Sequence, residues 1–220
     1  MSSPPPSSAQ RARGARSREE ILDAAERLMS DRGYAATPMS ALAAESGLPA
    51  SSIYWHFGSK SGLLAAVMER GATRFFAAAT PGDLGDHPDP HRRLQHLLAR
   101  IEATMVAHRQ FLRLFFVLLL GAVAEPAQQE LVRRLRAESN RLLARGLAWV
   151  YLSWGEEVAG RVGAHLAPVA QALIDGKFLA VEAGGDVSLV ADAATALHAV
   201  AERVRDGVPS PHQVDPPTGA

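Results

Sequence analysis

Between Thr37 and Gly58 the chain reads "TPMSALAAESGLPASSIYWHFG", a stretch with room for two short helices, one tight turn and little else. Thr37 is a good N-cap type, and Pro38 falls where a first-turn amide has no partner to lose. Met39, Leu42 and Ala43 supply an apolar face, and Gly47 stops that helix after barely two turns. Pro49 opens the next segment and Gly58 closes it. The small residues Ala43 and Gly47 let the pair cross closely around Ser46-Gly47-Leu48, as a helix-turn-helix requires.

The flanking segments are helical as well. Ser17 with Glu20 three residues later forms a capping-box signature, and Ile21, Leu22, Ala25, Leu28 and Met29 follow at helical spacing up to Gly33. Ser59 begins another helix, with Leu63, Leu64, Val67, Met68, Phe75 and Phe76 on its apolar face. The run "TPGDLGDHPDPH" is then a loop by composition and the expected break between packing units. Beyond it, Leu94, Leu97, Leu98, Ile101 and Met105 line one helix. Phe111 to Val123 forms a second that is apolar nearly all round. A long helix is expected from Pro126 to Trp154, "GEEVAG" as a connection, and further helices over His165–Ala183 and Ser188–Arg205. No alternating strand pattern and no internal repeat occurs, so the fold class is all-α.

Composition excludes several functions. The 220 residues can bury a substantial core, and the absence of cysteine removes disulfides, thiol nucleophiles and thiolate metal sites. Charge balances at 23 basic and 23 acidic residues, yet the leader carries Arg11, Arg13, Arg16 and Arg18 with no acid. "MSSPPPSSAQ" has prolines and serines where a secretory signal needs an apolar core. The run Phe111 to Ala124 is too short to span a bilayer and contains Arg113. A soluble, cytoplasmic protein with no membrane partner is expected. For catalysis there is no phosphate-cradling glycine loop and no nucleophile motif. His87, His91 and His96 lack a paired carboxylate motif for zinc, and Glu156-Glu157 reads as a solvated turn. No enzyme, cofactor or metal is expected.

The most informative stretch is "SSIYWHFGSK", where four ring-bearing side chains stand in succession. On a helix, Ile53 and Phe57 share a face and point to the core with Met39, Leu42 and Leu48. Ser51, Ser52, Trp55 and His56 then point outward, with Tyr54 at the flank. Hydroxyls donate to phosphates, and ring edges contact thymine methyls, so a major groove accommodates this surface. Lys60 follows at the next helix start, where its charge and the free amides suit a phosphate.

Residues 17 to 69 thereby resemble the DNA-binding domain of the TetR family of bacterial transcriptional regulators. The matching features are "ILDAAERLM", the following "RGY", "ALAAESGL" and "IYWHFGSKSGLL". The resemblance implies a flexible basic arm over residues 1–16, a helix-turn-helix DNA-binding domain over 17–60, a larger helical effector-binding and dimerisation domain over 61–207, and a disordered tail over 208–220. It also implies a homodimer on a pseudo-palindromic double-stranded operator, with a small-molecule effector. Carried over by position, Thr37 caps the second helix near a phosphate, and Ser51 and Ser52 approach bases or backbone. Tyr54, His56 and Lys60 reach phosphates, Trp55 lies at the groove surface, and Arg11, Arg13 and Arg16 form a minor-groove arm. Ala50 and Pro49 depart from the family pattern, leaving the recognition helix without Arg, Lys, Asn or Gln to read a base bidentately. Specificity is therefore expected to lean on methyl contacts, the arm and DNA shape.

For the effector, the expected walls are Met105, Phe111, Phe115, Phe116, Trp149 and Trp154, suited to an apolar or aromatic molecule. For the dimer seam, two Ala-rich stripes are expected: Leu166, Val169, Ala170, Leu173 and Phe178, then Leu189, Ala193, Ala196, Leu197 and Val200. A ligand-released repressor is the expected role. The alternatives are an activator of the same fold, or a helical small-molecule-binding protein that uses its helix-turn-helix for protein contacts.

Overall fold

The computed structural model describes residues 8–79, 87–121, 126–185 and 188–207. The side chains of Arg11 and Leu189, the loop over 80–86 and the tail from 208 lie outside the described residues. Among those described, every regular element is helical.

The elements run α1 Ser8–Arg32, α2 Met39–Ser46, α3 Ala50–Phe57, α4 Lys60–Ala79, α5 Pro90–Ala107, α6 Arg109–Leu120, α7 Pro126–Val150, α8 Glu156–Glu182 and α9 Ala194–Arg205. A short 3-10 turn occupies Leu152–Trp154, and a π-helical turn at Leu189–Ala193 leads into α9.

These elements group into two compact units. The first contains α1 to α4 as far as Phe75, together with Ala107–Leu135; the second contains Phe76–Val106 and the chain from Arg136. The helices α4, α5 and α7 each contribute residues to both.

In the first unit, α1 packs against α2, α3 and α6. Ile21, Leu22, Met29, Leu42, Ile53, Leu63 and Met68 are all fully buried there. Each such side chain contributes roughly 1.5–3 kcal/mol of apolar transfer. Gly47 ends α2 at φ +68°, a left-handed turn that only glycine adopts without strain. Arg70 on α4 donates to Glu19 (3.0 Å), Asp23 (2.7 Å) and Glu26 (2.7 Å) on α1, a three-carboxylate clamp around one guanidinium.

In the second unit, α8 packs against α9 and the Leu152–Trp154 turn. Buried Leu166, Ala170, Ile174 and Phe178 on α8, with Ala194, Leu197 and Ala201 on α9, belong to its core. Arg136 pairs with Asp175, and Ser139 donates to Gln171 at 2.6 Å.

Several expected boundaries moved. The first helix begins at Ser8 rather than at the Ser17 capping box, because Ala9, Ala12, Ala15 and the arginines between them are strong helix formers. Residues 8–16 are therefore helix, not flexible arm. The "GEEVAG" segment is the first turns of α8 rather than a connection, and Glu156 and Glu157 complement the positive end of its dipole. The long helix stops at Val150 instead of Trp154. The apolar helix α6 packs on α1 in the first unit.

Gly163 sits where α8 presses on α7. A Cβ there would run into the Ala144 carbonyl oxygen and lie 2.9 Å from the Ala148 nitrogen. Gly160, one turn earlier, has nothing within 4 Å of that position. Gly163→Ala is expected to destabilise by about 1–3 kcal/mol, and Gly160→Ala to stabilise by about 0.4–1 kcal/mol. Thermal unfolding of the two variants checks the opposite signs. Equal shifts would show that α7 and α8 do not meet as closely as described.

Candidate nucleic-acid interface

An eight-residue helix such as α3 has little stability of its own. Its orientation comes from its ends and from one anchor. Pro49, at φ −64°, holds the residue before α3 extended, and Gly58 donates its amide to the Tyr54 carbonyl at 2.8 Å to close the helix. Ile53 is fully buried between these ends. With Ile53 turned inward, helical geometry turns the Ser51 and Tyr54-Trp55 side outward. Trp55 is 79% exposed and Tyr54 48%, beside exposed Ser51 and half-buried Ser52.

The other expected anchor, Phe57, is only half-buried. Arg18 of α1 lies over its ring at 5.5 Å, and its ring is 5.8 Å from that of His56. His56 in turn meets Trp55 edge-on at 4.6 Å. Partial burial, and secondarily the nearby Arg18 charge, hold the His56 pKa below the ordinary 6.5. At neutral pH His56 is therefore an uncharged ring with one N–H to donate.

Thr37 corrects an expectation. It is fully buried, and its hydroxyl donates to the carbonyls of Gly33 (2.8 Å) and Leu28 (3.3 Å) instead of capping α2. Pro38 occupies the N-cap position. Thr37 fastens the end of α1 to the start of α2 and has no exposed atom to offer a phosphate. Lys60 is also engaged: its ammonium donates to the Ala35 carbonyl at 3.4 Å and lies 4.5 Å from the Tyr34 ring centre. Ser59 caps α4 by accepting from the Gly62 amide at 3.0 Å.

Arg13 and Arg16 are exposed on the first turns of α1. No acid occurs before Glu19, so their charge adds to the positive end of the helix dipole. Arg18 was not among the residues expected at the site. The sequence counted it only as one of the arginines of the basic leader, and its contact with Phe57 depends on how α1 packs.

The expected effector residues separate. Phe111, Phe115 and Phe116 are buried in the first unit, where successive ring centres lie 6.3 and 5.7 Å apart. Phe111 also fills the space over Gly71. Met105, Trp149 and Trp154 belong to the second unit. There the Trp154 ring lies tilted against Tyr151 at 4.6 Å, and Trp149 lies beneath the Arg93 guanidinium at 5.7 Å. The six residues are thus not one lining within either unit.

The expected dimer stripes also divide. Leu166, Ala170, Phe178, Ala193 and Leu197 are buried within the single chain, which removes them as surface residues. One helix has two apolar faces, and sequence spacing does not say which one is inward. Val169, Leu173 and Ala196 are exposed, and Val200 half-buried. Leu179 and Val181 extend the exposed apolar residues of α8. No group of three or more His, Asp or Glu among the described residues is arranged to hold a metal ion. No single described helix is long and apolar enough to cross a membrane.

Two short helices crossing at a glycine turn, the second with polar and aromatic side chains outward, define a helix-turn-helix protein of all-α architecture. Residues 21–67 match the family model of the bacterial regulatory proteins of the tetR family. The AcrR regulator of Shigella flexneri is 31% identical over 100 residues, 42% of this chain and 44% of that protein. The TtgR regulator of Pseudomonas putida is 31% identical over 84 residues, 38% of this chain and 40% of that protein. The chain thus spans less than half the length of the curated relatives it matches. A TetR-like regulator from Rhodococcus sp. RHA1 has the same fold at TM-score 0.59 and 26% identity, covering 87% of this chain and 96% of that one. A Saccharomonospora viridis chain solved in complex with choline matches at TM-score 0.65 and 22% identity, covering 86% and 96%. Residues 21–67 are thus similar to the DNA-binding region of the tetR family, and the fold over most of the chain is that of TetR-like regulators.

The electrostatic link between Arg18 and His56 has a measurable consequence. In an NMR titration the His56 midpoint is expected below 6.5. Arg18→Gln should raise that midpoint without bringing it to the ordinary value, because burial is the larger cause. An unchanged midpoint in the variant would show that the two groups are not coupled.

Proposed function

We propose that the chain is a DNA-binding transcriptional regulator in the cytoplasm, acting as a repressor that a small molecule releases from its operator. The observation that carries this reading is the exposed Trp55 on a helix whose facing residue, Ile53, is fully buried. A large exposed ring beside Tyr54 and two serines on so short a helix is a recognition surface rather than a packing remnant. Tyr54, His56 and the serines donate to phosphates, Trp55 contacts thymine methyls, and Arg11, Arg13 and Arg16 add backbone contacts from the N-terminal end of α1. The absence of a bidentate base reader leaves shape and methyl contacts to select the sequence.

The test is a binding titration with the DNA directly upstream of the protein's own gene. Trp55→Ala is expected to weaken binding about tenfold or more while leaving the melting midpoint within a degree or so of wild type. Arg13→Ala with Arg16→Ala should lower both affinity and its salt dependence, by up to one unit of slope per lost phosphate contact. Full affinity in the Trp55 variant, or no binding to any upstream region, would sink the reading.

Assembly as a homodimer is part of the same proposal. The exposed apolar residues Val169, Leu173 and Leu179 on α8, with Ala196 and Val200 nearby in the α9 stripe, support a helical seam across a two-fold axis. Small residues on α8 such as Ala172 and Gly176 permit close approach. Leu173→Glu is expected to give a folded monomer by light scattering and to weaken operator binding, because one recognition helix cannot hold two half-sites. A variant that stays dimeric places the seam elsewhere.

A further inference from the structure

Among the described residues two arginines are nearly buried, and they differ in one respect. Arg70 has a side chain only 10% exposed and meets three carboxylates. Arg93 on α5 is 8% exposed and meets none among the described residues. One terminal nitrogen of Arg93 donates to the Ser153 hydroxyl at 2.8 Å, and the guanidinium lies 5.7 Å from the Trp149 ring centre. Its Nε, like that of Arg70, is buried without a hydrogen-bond partner, so the missing carboxylates are what set Arg93 apart. A buried cation balanced only by a hydroxyl and a ring face is an unfavourable arrangement, since neither supplies a counter-charge. Arg93, Trp149 and Ser153 all belong to the second compact unit.

We infer that Arg93 is the anchor for a small organic monocarboxylate. This deepens the ligand-responsive reading above and rests on it. The geometry selects the chemistry. The unpartnered Nε and the neighbouring terminal nitrogen form the edge of the guanidinium that matches both oxygens of a carboxylate. One buried positive charge is neutralised by one negative charge, whereas a phosphate dianion would leave an excess. Trp149 supplies an apolar face beside the anchor for a hydrocarbon or aromatic body. Ser153 takes one of the two N–H groups of the terminal nitrogen next to Nε and leaves the other for the ligand.

Phenylacetate and hexanoate, each paired with its neutral amide, are suitable probes of the full chain, read by calorimetry and thermal shift. At least one acid is expected to bind about tenfold or more tightly than its amide and to raise the melting midpoint. Arg93→Met should abolish that preference while melting no lower than wild type, because it removes an uncompensated buried charge. Arg93→Lys should keep part of the preference, since it keeps the charge and loses the two-pronged geometry. The inference is overturned if neither acid binds at about 10 mM, if acid and amide bind alike, or if the Met variant keeps the preference. It is also overturned if that variant melts several degrees lower, which would make Arg93 a structural residue. Acids that bind through Arg93 without weakening the DNA complex would leave this inference standing and defeat ligand release. Release by the neutral amides alone would do the reverse.

Discussion

The geometry of the whole N-terminal unit depends on one buried residue, Ile53. Neither α2 nor α3 is long enough to persist alone, so their crossing angle cannot come from helix propensity. It comes from Ile53 and Leu42 being fully buried with Ile21, Leu22 and Met29 of α1 in one core. Once Ile53 is inside, the four rings beyond it have no freedom to choose sides. Tyr54 and Trp55 must be outside, and His56 and Phe57 must share the margin. The exposed aromatic surface is therefore a consequence of the core rather than a separate feature.

Two polar devices then keep that core in one register. The Thr37 hydroxyl bonds to the last carbonyls around the end of α1, which fixes where α2 departs. Arg70 draws three acidic residues of α1 onto α4. Exposed ion pairs contribute little individually, about 0–1 kcal/mol. This one is different in kind, because a single nearly buried guanidinium satisfies three partners and has one orientation in which to do so.

The sequence was most readable where one physical requirement had one solution. The period of Ile21, Leu22, Leu28 and Met29, the stop at Gly47 and the inward pair of Leu42 and Ile53 follow from helical geometry alone. It was least readable where one residue type serves two purposes. Threonine before proline is equally suited to capping a helix and to bonding back to the previous one, and burial decided for the second. Ser17 and Glu20 fit a helix start, yet good helix formers upstream let α1 continue through them. On α8, alternate apolar positions look alike as a stripe, while Leu166 and Ala170 face inward and Val169 and Leu173 outward. Such choices depend on what packs alongside, which no local window contains.

Arg93 was invisible to sequence reading for the same reason. "HRRLQHLLARIE" places Arg92 and Arg93 together at a helix start, where basic residues ordinarily stay solvated. Only the packed structure separates them, leaving Arg92 exposed and Arg93 buried. The comparison with Arg70 then gives the burial meaning. Where this fold buries a guanidinium for structure, it surrounds it with carboxylates. Where it buries one without them, the missing charge is a property of the site. A ligand that brings its own carboxylate completes the arrangement that the chain leaves open, and couples its binding to the stability of the unit that holds it.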